Sequence, residues 1–294
     1  MNRIGVDVGG TKIEGVVLDE IGAELARARV PTPQGDYAAT VTRISELVAD
    51  LEQAYGPSRP QVGIGSPGAI DRATQLLKNS NSIALNGKPF HLDLERALGR
   101  PIVLRNDADC FALSEARDGA AAGLPVVFGV IIGTGVGGGI VVRGQALSGP
   151  NAIAGEWGHN PLPWPRDDER PGSLCYCGLR GCIETFLSGP GFAARSGVTA
   201  PTEILRAARA GDPQAVAQVD LYCDRLARSL ATIINVLDPD AIVLGGGMSN
   251  TDEIYRRVPE LWANYAFTPT VVTRLLRNRH GDSSGVRGAA WLVD

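Results

Sequence analysis

Short apolar runs with many β-branched residues open the chain, and turns of only a few residues separate them. They lie at Ile4–Val8, Ile13–Leu18 and Ala23–Val30. Runs of this length and composition are typical of strands. Strands joined by tight turns pair antiparallel, so these three runs predict an opening meander.

Beyond residue 35, apolar residues recur every three or four positions, which is typical of a helix with one buried face. The first such face consists of Val41, Ile44, Leu47, Val48 and Leu51. Asp36 is the candidate N-cap of this helix, and Gly56-Pro57 is its candidate stop. Buried strands are predicted at 62–65 and 102–104.

The second half of the chain repeats the alternation of strands and helices. A helix is predicted from Asp107 to about Gly119, and an apolar strand at Val126–Ile132. After a glycine-rich turn, Ile140–Val142 predicts a return strand.

A long helix and one more strand follow. Asp212-Pro213 combines an N-cap residue with proline at the first helical position. The apolar face of this helix is Leu226, Leu230, Ile233, Ile234 and Leu237. Ala241–Leu244 is the next predicted strand, so the pattern indicates two α/β halves.

Length and composition agree with two soluble domains. The chain has 294 residues, 44% of them hydrophobic and 20% charged, and domains average roughly 150 residues. With 28 basic and 32 acidic side chains the net charge is −4, which argues against a basic nucleic-acid-binding protein. The N-terminus lacks a signal-peptide pattern, and the longest apolar stretch, 120–132, falls short of the roughly 18 residues of a membrane span. We expect a cytoplasmic protein.

Many of the 37 glycines gather in three turns, each after an apolar strand. The turns are Asp7–Lys12, Gly133–Gly139 and Gly245–Gly247. Glycine can adopt a positive φ and lets backbone N–H groups approach a phosphate closely. One such turn alone is more often a tight hairpin or a helix cap. Three of them favour phosphate binding.

Two common nucleotide-binding motifs are excluded, the first by the element that follows it and the second because it does not occur. Residues 133–138 match G-x-G-x-x-G, but a strand is predicted next where that fingerprint requires a helix. The chain contains no G-x-x-x-x-G-K-[ST], which excludes a P-loop.

Three cysteines and a histidine predict a metal site. Cys175, Cys177 and Cys182, with His159 upstream, supply the donors of a tetrahedral zinc ion. A closed shell of three thiolates and one imidazole indicates structural zinc; three buried free cysteines are the alternative. Cys110 and Cys223 lie on helical patterns and are expected in the core.

The motifs together resemble the ROK family of sugar kinases over nearly the whole chain. They are 7–12, 106–108, 133–139, 155–159, 175–184 and 245–247. Segments 31–33, 85–90, 160–164 and 280–285 look most like bacterial fructokinases and mannokinases of this family. The resemblance implies a two-domain actin-like ATPase (ribonuclease H-like) α/β fold with a cleft between the domains, and ATP with Mg²⁺ as cofactor. We expect one domain at 1–117 plus 280–294 and the other, with the zinc motif, at 118–279.

The resemblance also implies the residues that bind and react. Asp107 matches the general base, although Asn106-Asp107 could simply cap the following helix. The sugar-binding residues would be Gly68, Asn81, Asn106, Asp107, Glu156, His159 and Glu184. His159 would offer one ring nitrogen to zinc and the other to the sugar. Asp109 stands where the family usually has Asn.

The glycine turns would hold the nucleotide. The residues concerned are Asp7, Gly9, Gly10, Thr11, Lys12, Gly133, Thr134, Gly135, Gly137, Gly245, Gly246 and Gly247. Asp7 would approach Mg²⁺ or one of its waters, or else accept a hydrogen bond at a strand end. Lys12 would contact phosphate or remain solvated.

The sequence therefore predicts a kinase that transfers the γ-phosphate of ATP to the 6-hydroxyl of D-fructose, with mannose and glucose as secondary substrates. The alternatives are an N-acetylglucosamine kinase or glucokinase of the same family and, after these, a sugar-responsive repressor. Repressors of this family carry a helix-turn-helix before the first strand, whereas here Arg3-Ile4 already begins that strand. The expected partners are a sugar and ATP, without nucleic acid or membrane, and the resemblance suggests a homodimer.

Overall fold

The computed structural model describes residues 2–55, 59–195, 197 and 200–293. The strands are β1 (Arg3–Val8), β2 (Lys12–Leu18), β3 (Glu24–Pro31), β4 (Gln61–Ser66), β5 (Ala69–Ile70), β6 (Leu77–Lys78), β7 (Val103–Asn106), β8 (Val126–Ile132), β9 (Val136–Val142), β10 (Gln145–Ala146), β11 (Ala241–Gly245) and β12 (Arg274–Arg277). The helices are α1 (Tyr37–Tyr55), α2 (Phe90–Leu98), α3 (Asp107–Arg117), α4 (Glu184–Leu187), α5 (Gly189–Ala194), α6 (Pro201–Arg209), α7 (Pro213–Leu237), α8 (Asp252–Leu261) and α9 (Ser284–Trp291). Among them, no helix is both long enough and apolar enough to span a membrane.

The chain divides into two compact units. Unit 1 contains Met1–Gly123, Gly139–Ala154 and Arg279–Asp294, and unit 2 contains Leu124–Gly138 and Gly155–Asn278. Residues 139–154 thus lie in unit 1, whereas the sequence assigned them to the other domain. The physical reason is close packing on α3, because a Cβ on Gly139 would lie 2.5 Å from the carbonyl oxygen of Ala108. The predicted domains remain a prediction.

Unit 1 is built on a five-stranded sheet with the order β3-β2-β1-β4-β7. β1, β2 and β3 pair antiparallel, which confirms the predicted meander, while β4 and β7 extend the sheet in parallel. The carboxyl ends of β1, β4 and β7 therefore lie at one edge of the sheet. Asp7 and Asn106, near the ends of β1 and β7, are placed along that edge.

Helix α1 follows its predicted pattern. The Asp36 carboxylate accepts a hydrogen bond from Ala39 N–H at 3.0 Å, and Ile44, Leu47, Val48 and Leu51 are buried. Val41 is only half-buried. The helix ends at Tyr55, and the predicted stop, Gly56-Pro57, lies outside the described residues.

Helix α9 packs on β1, β4 and α3 through glycines. A Cβ on Gly288 would lie 1.6 Å from the Cys110 carbonyl oxygen, and one on Gly63 would lie 1.8 Å from that of Ala289. No side chain fits either position without backbone movement. The C-terminal helix is therefore held against the strand and helix that carry Asp7 and Asp107.

The second sheet has the order β10-β9-β8-β11-β12, and the boundary between the units crosses β9 after Gly138. β8, β11 and β12 are parallel. In unit 2, α7 begins as predicted, with the Asp212 carboxylate accepting from Ala215 N–H at 2.8 Å. Leu226, Leu230 and Ile234 are buried in its apolar face.

Candidate active site

Asp107 is the first residue of α3, directly after β7. Its neighbour Asn106 is the N-cap, and the Asn106 side-chain oxygen accepts from Ala108 N–H at 2.8 Å. Asp107 Oδ1 also accepts from Ala108 N–H, at 2.9 Å. The helix N-terminus stabilises negative charge here, which suits a carboxylate that must be ionised to act as a base.

Gly68 is hydrogen-bonded to the side chain of Asn106. Asn106 Nδ2 donates to the Gly68 carbonyl oxygen at 3.1 Å. Gly68 has a φ of 86°, and a Cβ there would lie 2.5 Å from the Lys78 carbonyl oxygen. Both the backbone angle and the space require glycine. Two of the predicted sugar-binding residues thus lie together.

Asn81 lies elsewhere in unit 1. It lines a cavity of about 300 Å³ together with Gly9, Gly10 and Ser82. The structure places Asn81 beside glycines predicted to hold the nucleotide, and its contact with a sugar stays a prediction.

Asp7 is a half-buried residue near the end of β1. Burial, followed by the negative charges of Asp107 and Glu14, raises its pKa to about 7, and Lys12 opposes this shift. Asp7 near the end of β1 and Asp107 directly after β7 lie at the same edge of the parallel strands, which brings two carboxylates together there. A divalent cation would offset the repulsion between them, so these residues fit Mg²⁺.

Glu14 was not singled out in the sequence, yet it is a buried carboxylate beside Asp7. It lies directly opposite Asp7 in the β1–β2 pairing. Its oxygens contact Arg29 Nε at 2.9 Å, Lys12 Nζ at 3.6 Å and Arg27. The Lys12 ammonium group therefore lies beside Glu14, and its contact with phosphate stays a prediction.

The first glycine turn is a tight hairpin. Gly9 N–H donates to the Lys12 carbonyl oxygen at 2.9 Å, and the Thr11 carbonyl oxygen accepts from Thr32 N–H. Gly9 and Gly10 both keep a φ outside the left-handed region, so this turn does not use the positive φ that glycine permits. The N–H group of Gly9 is used inside the turn.

The second turn is shorter than predicted. It covers Gly133–Gly135, whereas Gly137–Gly139 already lie in β9. Gly133 N–H donates to the Gly135 carbonyl oxygen at 2.9 Å. The Gly137 carbonyl oxygen accepts from Trp157 Nε1 at 3.0 Å, so Gly137 lies in a packed strand, and its contact with the nucleotide stays a prediction.

Glu184 supports this second turn. Its Oε2 accepts from Val136 N–H at 2.9 Å and would lie 2.7 Å from a Cβ on Gly135. A sugar contact by Glu184 stays a prediction, but the carboxylate has a definite structural partner.

The third turn follows its predicted form. β11 ends at Gly245, and Gly246 has a φ of 78°. A Cβ on Gly246 would lie 2.5 Å from the Ile132 carbonyl oxygen, so this position requires glycine. A 3₁₀ turn begins at Gly247.

The remaining predicted sugar residues lie in a 3₁₀ turn of unit 2. Glu156 precedes the turn Trp157–His159. Burial raises the pKa of Glu156, an effect that His159 opposes and Glu184 reinforces. His159 Nε2 lies 2.9 Å from the Tyr176 hydroxyl, so the ring nitrogen expected to face the sugar has a protein partner. Only the folded chain brings Tyr176 to this position.

The predicted zinc ligands come together. One donor atom from each of His159, Cys175, Cys177 and Cys182 lies within 4.8 Å of the others. His159 Nδ1 is 3.6 Å from Cys175 Sγ, and Cys177 Sγ is 3.6 Å from Cys182 Sγ. A Zn–S bond of about 2.3 Å places two sulfurs of a tetrahedral site about 3.8 Å apart. The four residues therefore fit zinc.

Asp109 lies in the first turn of α3. It lines a cavity of about 280 Å³ with Arg105, Asn106 and His91. Asp109, which stands where the family that the motifs resemble usually has Asn, thus lines a cavity that also borders Asn106.

Residues 3–294 match the family model described as "ROK family". The chain belongs to the ROK family. The N-acetyl-D-glucosamine kinase of Salmonella paratyphi A is 42% identical over 298 residues, which is 98% of each chain.

Two solved structures are also similar. The ROK hexokinase from Thermus thermophilus has 31% identity and a TM-score of 0.89, with 99% of this chain and 97% of that one covered. A ROK glucokinase from Streptomyces griseus, in complex with glucose and AMPPNP, has 28% identity and a TM-score of 0.75, with 99% and 98% covered. These similarities confirm the predicted actin-like ATPase (ribonuclease H-like) α/β fold. They give no support to the narrower prediction of a fructokinase.

Proposed function

We propose that this protein is an ATP-dependent kinase that phosphorylates the 6-hydroxyl of N-acetyl-D-glucosamine. The observation that carries the proposal is the 42% identity, over 98% of both chains, to a curated N-acetyl-D-glucosamine kinase. This substrate replaces D-fructose, which the sequence motifs favoured, as the first choice.

Asp107 is the proposed general base. A base must lie within hydrogen-bond reach of the hydroxyl that it deprotonates. The start of α3 holds the Asp107 carboxylate at a helix N-terminus, and the Asn106–Gly68 hydrogen bond holds the neighbouring polar groups in place. Asn106 and Gly68 would orient the sugar while Asp107 takes the hydroxyl proton.

The negative charge of ATP would be offset by Mg²⁺ held at Asp7 and by backbone N–H groups of the glycine turns. Mg²⁺, when bound, neutralises charge on the transferring phosphate groups. Asp7, whose pKa is raised by its buried position and by Asp107, would hold that ion directly or through water. Zinc at His159 and the three cysteines would have a structural role, because all four ligand positions are filled by protein.

The test is a coupled ADP-release assay with N-acetylglucosamine, glucose, mannose and fructose at saturating MgATP. We expect the highest kcat/KM with N-acetylglucosamine. A higher value with fructose would restore the substrate predicted from the motifs, and a lack of ADP release with all four sugars would overturn the proposed kinase. Glucose differs from N-acetylglucosamine only at C2, so it serves as the matched control for recognition of the acetamido group.

A further inference from the structure

Glu115 is a completely buried carboxylate in the C-terminal half of α3, and it has no part in the site described above. It accepts hydrogen bonds from Ala120 N–H at 2.8 Å, from Arg279 N–H at 3.0 Å and from the Ser284 hydroxyl at 2.9 Å. His280 N–H lies 3.4 Å from the same carboxylate. An ionised carboxylate can be buried only when donors of this kind surround it.

These donors lie on two of the four segments at which the chain passes between the units, the first exit from unit 1 and the last return to it. We call residues 118–123 the outgoing connection, since unit 2 begins at Leu124. We call residues 279–284 the return connection, since unit 2 ends at Asn278. Glu115 thus binds two connections that are more than 150 residues apart in the sequence.

Further contacts fasten the same connections to the end of α3. Asp118 accepts from His280 Nε2 at 3.1 Å, and its carbonyl oxygen accepts from Arg279 Nη1 at 3.3 Å. A Cβ on Gly119 would lie 2.3 Å from Glu115 Oε2, so the outgoing connection approaches the carboxylate closely enough to require glycine. Glu115 is the buried centre of this arrangement.

Helix α3 carries the proposed base at its other end. Asp107 and Glu115 are eight residues apart on one helix, which is about 12 Å along its axis. A short α-helix moves as one body, so a change in the position of its C-terminal end is transmitted to Asp107. Residues at element ends that absorb chain motion commonly affect kcat and KM together although they lie far from the chemistry.

We propose that Glu115 is a positioning residue for phosphoryl transfer, which fastens the outgoing and return connections to the helix that carries Asp107. This inference rests on the proposed function. It assigns a role in turnover to a residue that touches neither substrate.

The test compares Glu115→Gln with Glu169→Gln. Glutamine keeps the size of Glu115 but replaces one acceptor oxygen with an N–H donor that faces the backbone N–H groups. Glu169 is a matched control, since it is a buried carboxylate that contacts Arg225 at 2.7 Å and Arg228 at 2.8 Å within unit 2. Both variants should lower Tm.

Only the Glu115 variant should change turnover. Misplaced catalytic groups lose rate steeply, so we expect kcat to fall by at least about tenfold with Glu115→Gln, together with changed KM values for ATP and sugar. Glu169→Gln should retain the wild-type kcat and KM at a temperature where it is folded. If Glu115→Gln fails to fold, Ser284→Ala removes a single donor, and a smaller loss of kcat is expected.

Amide hydrogen exchange gives a readout that needs no activity. In Glu115→Gln, exchange should be faster at 118–123, at 279–284 and in the first turn of α3, and Glu169→Gln should leave these segments at the wild-type rate. Wild-type kinetics in Glu115→Gln, or unchanged exchange in both connections, would overturn the inference. If the wild-type protein phosphorylates none of the sugars, the proposed function fails and the role of Glu115 in phosphoryl transfer fails with it. The exchange comparison then still shows whether Glu115 fastens the two connections to α3, so the two failures are distinguishable.

Discussion

At the scale of single residues, the structure assigns capping of α3 to Asn106, whereas the sequence left capping and catalysis as alternative roles of the pair Asn106-Asp107. Asn106 occupies the N-cap position of α3, so capping of the helix does not depend on Asp107. Asp107 begins the helix and raises the pKa of Asp7 through its charge. Because Asn106 supplies the cap, the alternative that Asp107 serves only as a cap loses support, and Asp107 is kept as the proposed base.

Asp107→Asn tests the proposed general base, and Asp109→Asn is its matched control. The amide cannot take the hydroxyl proton, and general base catalysis contributes typically 10²- to 10⁴-fold, so kcat should fall by about that factor while sugar affinity remains. Asp109→Asn makes the same chemical change two residues away in the same helix turn and should retain most activity. Steady-state kinetics and isothermal calorimetry measure the two quantities. Nearly normal kcat in Asp107→Asn would contradict the assignment.

The raised pKa of the Asp7 carboxyl group predicts that this group contributes less stability as the pH rises toward 7. Its pKa is about 7 in the folded protein, whereas the ordinary pKa of an aspartate is 3.8. Between these values the folded state holds a proton that the unfolded state has lost. The free energy of unfolding of the metal-free protein should therefore decrease as pH rises from about 4 to about 7, by at most about 1.4 kcal/mol per pH unit from this group.

Denaturant titrations of wild-type protein and Asp7→Asn over this pH range measure the effect. The asparagine variant should show a smaller loss of stability with rising pH, because it has no proton to release. Equal slopes for the two proteins would contradict the raised pKa. Addition of Mg²⁺ should stabilise the wild-type protein more at pH 8 than at pH 5, since the ion binds the ionised carboxylate.

At the scale of elements, local motifs were predicted well and contacts between distant residues were not. The Cys175–Cys182 segment forms a ligand group from its own spacing, and the turns at Gly178 (φ 89°) and Gly181 (φ 72°) shape it. By contrast, Gly137–Gly139 were predicted as a loop although they lie in β9. A Cβ on Gly138 would lie 2.9 Å from Phe128 and Trp157 side-chain atoms, so this glycine serves packing.

Removal of one zinc ligand should destabilise this segment. Cys177→Ser should lower the zinc content from about one equivalent per chain and should lower Tm, because metal binding contributes directly to folding. Elemental analysis and thermal unfolding measure both effects. Cys223→Ser changes a buried cysteine in α7 and should retain the zinc. Wild-type protein purified without added chelator and found free of zinc would contradict the metal assignment.

At the scale of the whole molecule, the chain passes between its two units four times, after residues 123, 138, 154 and 278. The domains predicted from sequence require only two passages. The two additional passages, after residues 138 and 154, arise because residues 139–154 pack on α3. There Gly139 lies against Ala108, and Gly144 lies against Arg117. These contacts join residues about 30 positions apart and leave no periodic signal in the sequence.

The sequence by itself determined the elements that have a regular local pattern. The meander and the apolar faces of α1 and α7 follow from propensity and periodicity, and the cysteine spacing predicted the candidate zinc ligands, because these signals act over short stretches of chain. The role predicted for Asp107 came from the resemblance to the family. The tertiary structure alone decided which buried charges meet. Glu14 beside Asp7, Tyr176 on His159 and Glu115 between the two connections depend on contacts whose partners are set by the packing of whole elements.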